Sequence, residues 1–145
     1  HIRAAVADFT FTSKLVDGKF PDYNRVLPKG GNKVILGDCQ ALKQGFSRAS
    51  ILSNEKYRGV RVVLTNGELR IFANNPEQEE AEEVVAVDYQ GDELEMGFNV
   101  SYLIDVLSTL RSRQAKITLL DANNSALIES GDESNAMYVV MPMRL

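Results

Sequence analysis

The sequence contains very few of the residues on which redox, metal and nucleophilic chemistry depend. It has one cysteine, Cys39, and one histidine, His1. A single cysteine excludes a disulfide framework within the chain and fits a reducing compartment. With one histidine, neither a histidine-based triad nor a His/Cys zinc site has its parts, and Cys39 is expected to be a buried, unreactive thiol. We therefore predict no catalytic residue, no metal and no cofactor.

Long apolar runs are also missing, so no segment is predicted to cross a membrane. Hydrophobic residues nevertheless make up 44% of the 145 residues, which is enough for a buried core. The first residue is not Met, and the chain opens inside an alternating apolar pattern. We therefore expect a piece of a longer protein.

Positive charge is scarce in the second half of the chain. The net charge is −4, but residues 1–70 carry +6 and residues 71–145 carry −10. No Lys or Arg occurs between Arg70 and Arg111. Overall acidity therefore does not exclude nucleic acid as a partner, because one face can still be basic.

Two helices with polar N-caps organise the pattern of elements. The first is predicted from Asp38 to about Ser53 and the second from Asn99 to about Arg111, each with an apolar stripe. A strand precedes each helix, and about three strands follow it. The predicted strands cover Lys33–Gly37, Arg58–Thr65, Glu68–Ala73, Glu82–Tyr89, Leu94–Phe98, Ala115–Leu120, Ser125–Ser130 and Ala136–Met141. The order is a β-α-β-β-β unit used twice, which favours an α+β domain with both helices on antiparallel sheets.

A connector is predicted close to the beginning of the chain. Residues 2–12 alternate as a strand or hairpin arm, and Pro21 and Pro28 then bracket a segment that is followed by Gly30-Gly31. We expect a domain boundary near residues 22–30, with the preceding residues belonging to another domain.

Five glutamates fall between Glu77 and Glu83, in a block that allows three interpretations. A solvated edge that discourages unwanted strand pairing is favoured, because metal and catalytic carboxylates usually come from separate segments. A docking patch for a basic partner is the second interpretation, and acid/base or metal chemistry is the third.

Basic residues follow the exposed side of the first helix and the end of the second. Lys43 and Arg48 lie at helical spacing, and Arg111 comes at the end of the second helix. Such residues, without an aromatic platform for bases, favour sequence-independent contact with phosphates. The alternative is an ordinary solvated face.

Two apolar segments each allow a packing role or an interface role. Ile51 and Leu52 at the end of the first helix either cover the core or form a subunit contact. The ending YVVMPMRL either tucks into the core as an edge strand or forms the floor of a peptide groove, since Met adapts to varied apolar ligands.

Several segments together resemble the bacterial sliding clamp family, the beta subunit of DNA polymerase III. They are FTSKLVDGKFPDYNRVLP, RASILSNEKYRGVR, ANNPEQEEAEE, GFNVSYLIDVL and YVVMPMRL. The resemblance covers essentially the whole chain. It implies that residues 1–24 are a remnant of the middle clamp domain with its connector, and that residues 25–145 are the complete third domain.

The resemblance also implies the roles of particular residues. The groove that accepts partner peptides would include Pro21, Arg25, Val26, Asn99, Tyr102, Asn123, Ser125, Val139, Val140, Met141, Pro142, Met143, Arg144 and Leu145. The dimer contact would include Ile51, Leu52, Glu77, Glu79, Glu80 and Glu82. The side facing DNA would include Lys43, Arg48, Arg58 and Arg111.

The function implied by the resemblance is that of a non-enzymatic processivity factor in the bacterial cytoplasm, on nucleoid DNA. As a ring-shaped homodimer it would encircle double-stranded DNA without reading sequence, and would bind DNA polymerases, the clamp loader and repair proteins. Two rival hypotheses remain open. One is a protein-binding adaptor without a DNA role, and the other is a carboxylate-dependent hydrolase.

Overall fold

The computed structural model describes residues 1–132 and 136–144. The strands are β1 (Ile2–Val6), β2 (Phe9–Ser13), β3 (Lys33–Asp38), β4 (Gly59–Thr65), β5 (Glu68–Asn74), β6 (Glu80–Ala86), β7 (Leu94–Asn99), β8 (Gln114–Leu119), β9 (Ala126–Ser130) and β10 (Met137–Val140). The helices are α1 (Cys39–Ile51) and α2 (Val100–Thr109), and a short 3-10 turn covers Tyr23–Arg25. No helix in these described ranges is long and apolar enough to span a membrane.

The predicted repeat is confirmed, and the two units exchange their first strands. The element order is β3-α1-β4-β5-β6 followed by β7-α2-β8-β9-β10. One antiparallel sheet has the order β10-β9-β8-β3 and the other has the order β6-β5-β4-β7. Strand β3 therefore completes the sheet of the second unit, and β7 completes the sheet of the first.

Both helices begin where the sequence predicts. The carboxylate of Asp38 accepts the backbone N–H of Ala41 at 2.9 Å, and the side chain of Asn99 accepts that of Ser101 at 2.9 Å. Such caps satisfy backbone donors that the first turn of a helix leaves unpaired. The helices end slightly before the predicted positions because the backbone leaves helical geometry at Leu52 and at Leu110.

The core lies between the helices and the two sheets. From α1 it contains Leu42, Phe46 and Ala49, and from α2 it contains Val100, Leu103 and Leu107. The two helices contact one another, α1 packs on β3, β5 and β6, and α2 packs on β7 and β10. Both helices therefore form one layer on the sheets, as the sequence analysis predicts.

A glycine allows α1 to approach the sheet closely. A Cβ atom on Gly45 would lie 2.7 Å from Cγ2 of Val85 on β6, closer than real Cβ contacts. Gly45 therefore sets the distance between the helix and the edge strand.

The hairpin of β1 and β2 pairs only with itself among the described strands. Its apolar side chains, including Val6, Phe9 and Phe11, are exposed. The boundary near residues 22–30 stays a prediction.

Candidate DNA-facing, subunit and peptide-binding surfaces

Arg58 connects the ends of the two helices. It has a positive φ of 51°, in the left-handed region. Its guanidinium donates to the carbonyl oxygen of Ser50 at 3.2 Å and to Oγ of Ser101 at 3.5 Å. Its own carbonyl oxygen accepts the backbone N–H of Val100 at 2.8 Å. Arg58 therefore holds the end of α1 against the beginning of α2.

Arg48 is bound to a glutamate on the edge strand β6. Its Nε donates to Oε1 of Glu83 at 2.7 Å, and its Nη2 donates to Oε2 at 2.8 Å. These hydrogen bonds lower the pKa of Glu83 and raise that of Arg48. Both groups are therefore ionised at neutral pH, and the positive charge of Arg48 is largely compensated.

Lys43 and Arg111 differ from Arg48 and Arg58 in their contacts. Lys43 is half-buried on α1, and Arg111 is exposed just after α2. Within the described residues, neither side chain takes part in a hydrogen bond or ion pair. These two cations are therefore available to an external anion.

Ile51 and the glutamates belong to neighbouring elements, since α1 packs on the edge strand β6. Ile51 is 76% exposed, whereas Leu52 is half-buried. Strand β6 is the last strand of its sheet, and the side chains of Glu77, Glu79, Glu80 and Glu82 are exposed along and before it. Exposure is compatible both with a solvated edge and with a docking patch, so the dimer role stays a prediction.

No metal cluster involves these carboxylates in residues 1–132 and 136–144. Two of the glutamates instead have nearby partners. Glu79 accepts a hydrogen bond from Nδ2 of Asn75 at 2.7 Å, and Glu82 lies 3.8 Å from Nη1 of Arg70. The block therefore has the local contacts of a polar edge.

One cavity brings together four of the predicted groove residues. It has a volume of about 550 Å³ and is lined by 24–29 and 123–125, so Arg25 and Val26 face Asn123 and Ser125 across it. The carboxylate of Asp121 shapes the loop by accepting the backbone N–H groups of residues 123 and 124 at 2.8 and 3.1 Å. These hydrogen bonds lower the pKa of Asp121, so it stays ionised.

A second cavity lies beside the first and shares Val26 and Leu27 with it. Its volume is about 540 Å³, and it brings Val26 together with Val139. The sequence analysis missed its five other lining residues, which are Tyr23, Leu27, Ala136, Met137 and Tyr138. Leu27 could have been found as an apolar residue placed directly before Pro28 in the connector.

The C-terminal tail, residues 141–144, lies beside strand β7. The backbone N–H of Met143 donates to the carbonyl oxygen of Gly97 at 2.9 Å, two residues before Asn99. Tyr102, in the first turn of α2, is exposed, as is Met141, whereas Pro142 and Met143 are half-buried. The tail residues and the beginning of α2 thus lie near one another, as a groove would require.

One of the remaining predicted groove residues, Val140, differs from this arrangement. Val140 is only 4% exposed and belongs to the core, where it pairs with Ala126. Pro21 and Arg144 are exposed, in the connector and the tail. Leu145 lies outside the described residues. The groove roles of all these residues stay predictions.

Cys39 is buried, as expected from the sequence. Burial raises the pKa of its thiol, although a hydrogen bond with Ser112 acts in the opposite direction. The thiol is therefore protonated at neutral pH and is a poor nucleophile.

Two β-α-β-β-β units with both helices on one side of antiparallel sheets define an α+β clamp domain. Residues 24–144 match the family described as DNA polymerase III beta subunit, C-terminal domain. The chain therefore belongs to the DNA polymerase III beta subunit family, and its residues 24–144 match the C-terminal domain of that family.

The relatives are similar over the whole chain. It is 63% identical to the beta sliding clamp of Pseudomonas putida strain KT2440 and 57% identical to that of Escherichia coli K12, over all 145 residues. The crystal structure of the DNA polymerase sliding clamp from Pseudomonas aeruginosa with ligand has a TM-score of 0.92 at 62% identity, covering 99% of this chain and 39% of that one. A clamp from the same organism bound to griselimycin gives a TM-score of 0.90. The chain spans 40% of the length of these curated relatives.

Proposed function

We propose that the chain is the C-terminal part of a DNA sliding clamp, a non-catalytic processivity factor that encircles double-stranded DNA as a ring-shaped homodimer. The observation that carries this proposal is the 63% identity to a beta sliding clamp over all 145 residues. The mechanism is topological, because a closed ring cannot leave DNA sideways. Weak phosphate contacts then suffice, and tight ones would oppose sliding. The protein acts in the bacterial cytoplasm, on nucleoid DNA.

The proposed DNA-facing surface is the helical layer with Lys43, Arg48, Arg58 and Arg111. Lys43 and Arg111 support it most directly, since the described residues offer neither of them an internal partner. Arg58, which donates to a neutral carbonyl oxygen, adds positive potential on the same layer, whereas Glu83 largely compensates the charge of Arg48.

Charge reversal in the full-length protein tests this surface. Lys43→Glu together with Arg111→Glu should shorten retention on primed circular DNA, because carboxylates repel phosphates. Arg61→Glu together with Lys116→Glu is the matched control, since both residues lie on the outer faces of the sheets, 3.5 Å from Glu95 and 3.3 Å from Glu129. Retention that is equal in both proteins would contradict the proposed surface.

The proposed subunit contact contains Ile51, Leu52, Glu77, Glu79, Glu80 and Glu82. It combines one exposed apolar residue with a strip of negative charge at an unpaired strand edge, and so fits a basic surface on the first domain of a second copy. The substitution Ile51→Ala in the full-length protein should shift the mass measured by sedimentation towards that of the monomer. Val34→Ala on β3, also at an exposed apolar position, is the control. An unchanged dimer mass for Ile51→Ala would count against the contact.

The proposed peptide groove accepts short linear segments of DNA polymerases, the clamp loader and repair proteins. The two neighbouring cavities at Val26 support it, as does the tail beside Asn99 and Tyr102. The remaining wall would come from a middle domain, of which residues 1–24 are the proposed remnant.

A further inference from the structure

The ion pair between Arg48 and Glu83 joins the helical layer to the edge of a sheet. It is bidentate, with both hydrogen bonds shorter than 3 Å, and it connects residues 35 positions apart in the sequence. The carboxylate is the more enclosed partner, since its side chain is 22% exposed and that of Arg48 is 55% exposed. The glutamate therefore draws the guanidinium towards β6, while the arginine remains accessible from solvent.

Few other charges occupy the exposed surface of the helices. On α1, Arg48 is the exposed cation, since Lys43 is half-buried and the residues one turn before and after Arg48, Gln44 and Ile51, are uncharged. On α2, the exposed charged residue is Asp105, which is negative. Besides half-buried Lys43, any contact of α1 with a polyanion therefore depends on whether the exposed Arg48 is free.

We propose that Glu83 is an internal counter-ion that restrains Arg48 and thereby limits the affinity of the clamp for DNA. This inference rests on the proposed function, and Glu83 is a positioning residue in it. A carboxylate and a phosphate offer the same pair of acceptors to the planar guanidinium, so they compete for Arg48. Glu83 thus keeps the contact between Arg48 and phosphate weak. A sliding ring requires weak contacts, because tight ones would hold it in place.

Equilibrium binding of the full-length clamp to a short linear DNA duplex, measured at several salt concentrations, tests this inference. Glu83→Gln should bind about eightfold more tightly at 0.1 M salt and steepen the slope of log K against log salt by about 0.9, the value for one further phosphate contact. The double variant Arg48→Gln with Glu83→Gln should return to the wild-type slope.

Glu95→Gln is the matched control. It removes the same charge from the opposite face of the sheet, where Glu95 lies 3.5 Å from Arg61. It should leave the slope unchanged, so that any effect of Glu83→Gln reflects Arg48 and not the net charge.

Each other outcome overturns the inference. A wild-type slope for Glu83→Gln, or a steep slope that persists in the double variant, shows that Glu83 does not act through Arg48. A Glu83→Gln protein that sediments as a monomer would assign Glu83 to the subunit contact instead. Retention on primed circular DNA tests the proposed function separately: wild-type protein that is not retained there would refute that function, whereas a wild-type slope for Glu83→Gln on the linear duplex refutes the inference alone.

Discussion

Replacing Gly45 by alanine separates what the sequence predicts from what the structure predicts. Gly45 lies in the middle of α1, where alanine is favoured over glycine by about 1 kcal/mol. In the structure, however, the new Cβ would lie 2.7 Å from Cγ2 of Val85 and 3.4 Å from Cδ1 of Ile71. Val85 is buried and β-branched, so it cannot rotate away easily.

The expected magnitude follows from these two opposing effects. Overpacking of this kind costs about 1–3 kcal/mol. After the gain in helix propensity, a net loss of about 1 kcal/mol in the free energy of unfolding remains. For a chain of this size the melting temperature should fall by about 2–4 °C.

Urea unfolding of the chain, followed by circular dichroism, measures this loss. Gln44→Ala and Gln44→Gly at the neighbouring exposed position give the intrinsic difference between alanine and glycine in α1 without a packing change. In a Val85→Ala background the clash disappears, and Gly45→Ala should become stabilising. The difference in the free energy of unfolding between Gln44→Ala and Gln44→Gly is the reference. If Gly45→Ala raises the free energy of unfolding by the same amount in the presence of Val85, the close approach of α1 to β6 is refuted.

Three further predictions concern ionisation, reactivity and the tail. Because hydrogen bonds from Arg48 lower the pKa of Glu83, the pair stabilises the fold above the pKa of an unfolded glutamate, and this stabilisation is lost as the pH falls through the folded-state value. An NMR titration should give Glu83 a lower midpoint than in an Arg48→Gln variant, and equal midpoints would refute the pairing. Since burial raises the pKa of Cys39, a thiol reagent at pH 8 should react far more slowly with folded than with urea-unfolded protein; similar rates would contradict burial. Deleting residues 143–145 from the full-length protein should abolish binding of a polymerase-tail peptide in calorimetry without unfolding the domain, and unchanged binding would exclude the tail from the groove.

Local patterns were sufficient to predict the order of elements. The caps at Asp38 and Asn99 act through neighbouring backbone groups, so they are recognisable in the sequence without knowledge of the fold. The apolar stripes on the helices likewise predicted which faces are buried. What these patterns could not give is the exchange of β3 and β7 between the sheets, because strand pairing across the chain leaves no local signal.

The surfaces were less predictable than the fold. Helical spacing placed Arg48 on an exposed face correctly, but it could not reveal that Glu83 on another element binds it. Val140 belongs to an alternating strand, so only its register opposite Ala126 shows that it faces the core. Arg58 itself has a positive φ, and its side chain reaches the ends of both helices, which no periodicity could indicate.

The exchanged first strands make the two halves of the domain mutually dependent during folding. Strand β3 cannot pair until β8, about eighty residues later in the chain, has been synthesised. Strand pairs between segments this distant in sequence form slowly. A chain cut in the turn before β7 would yield two fragments, each lacking one strand of its own sheet and holding one that belongs to the other. Neither fragment could close a core alone, whereas the two mixed together would restore every strand pair of both sheets.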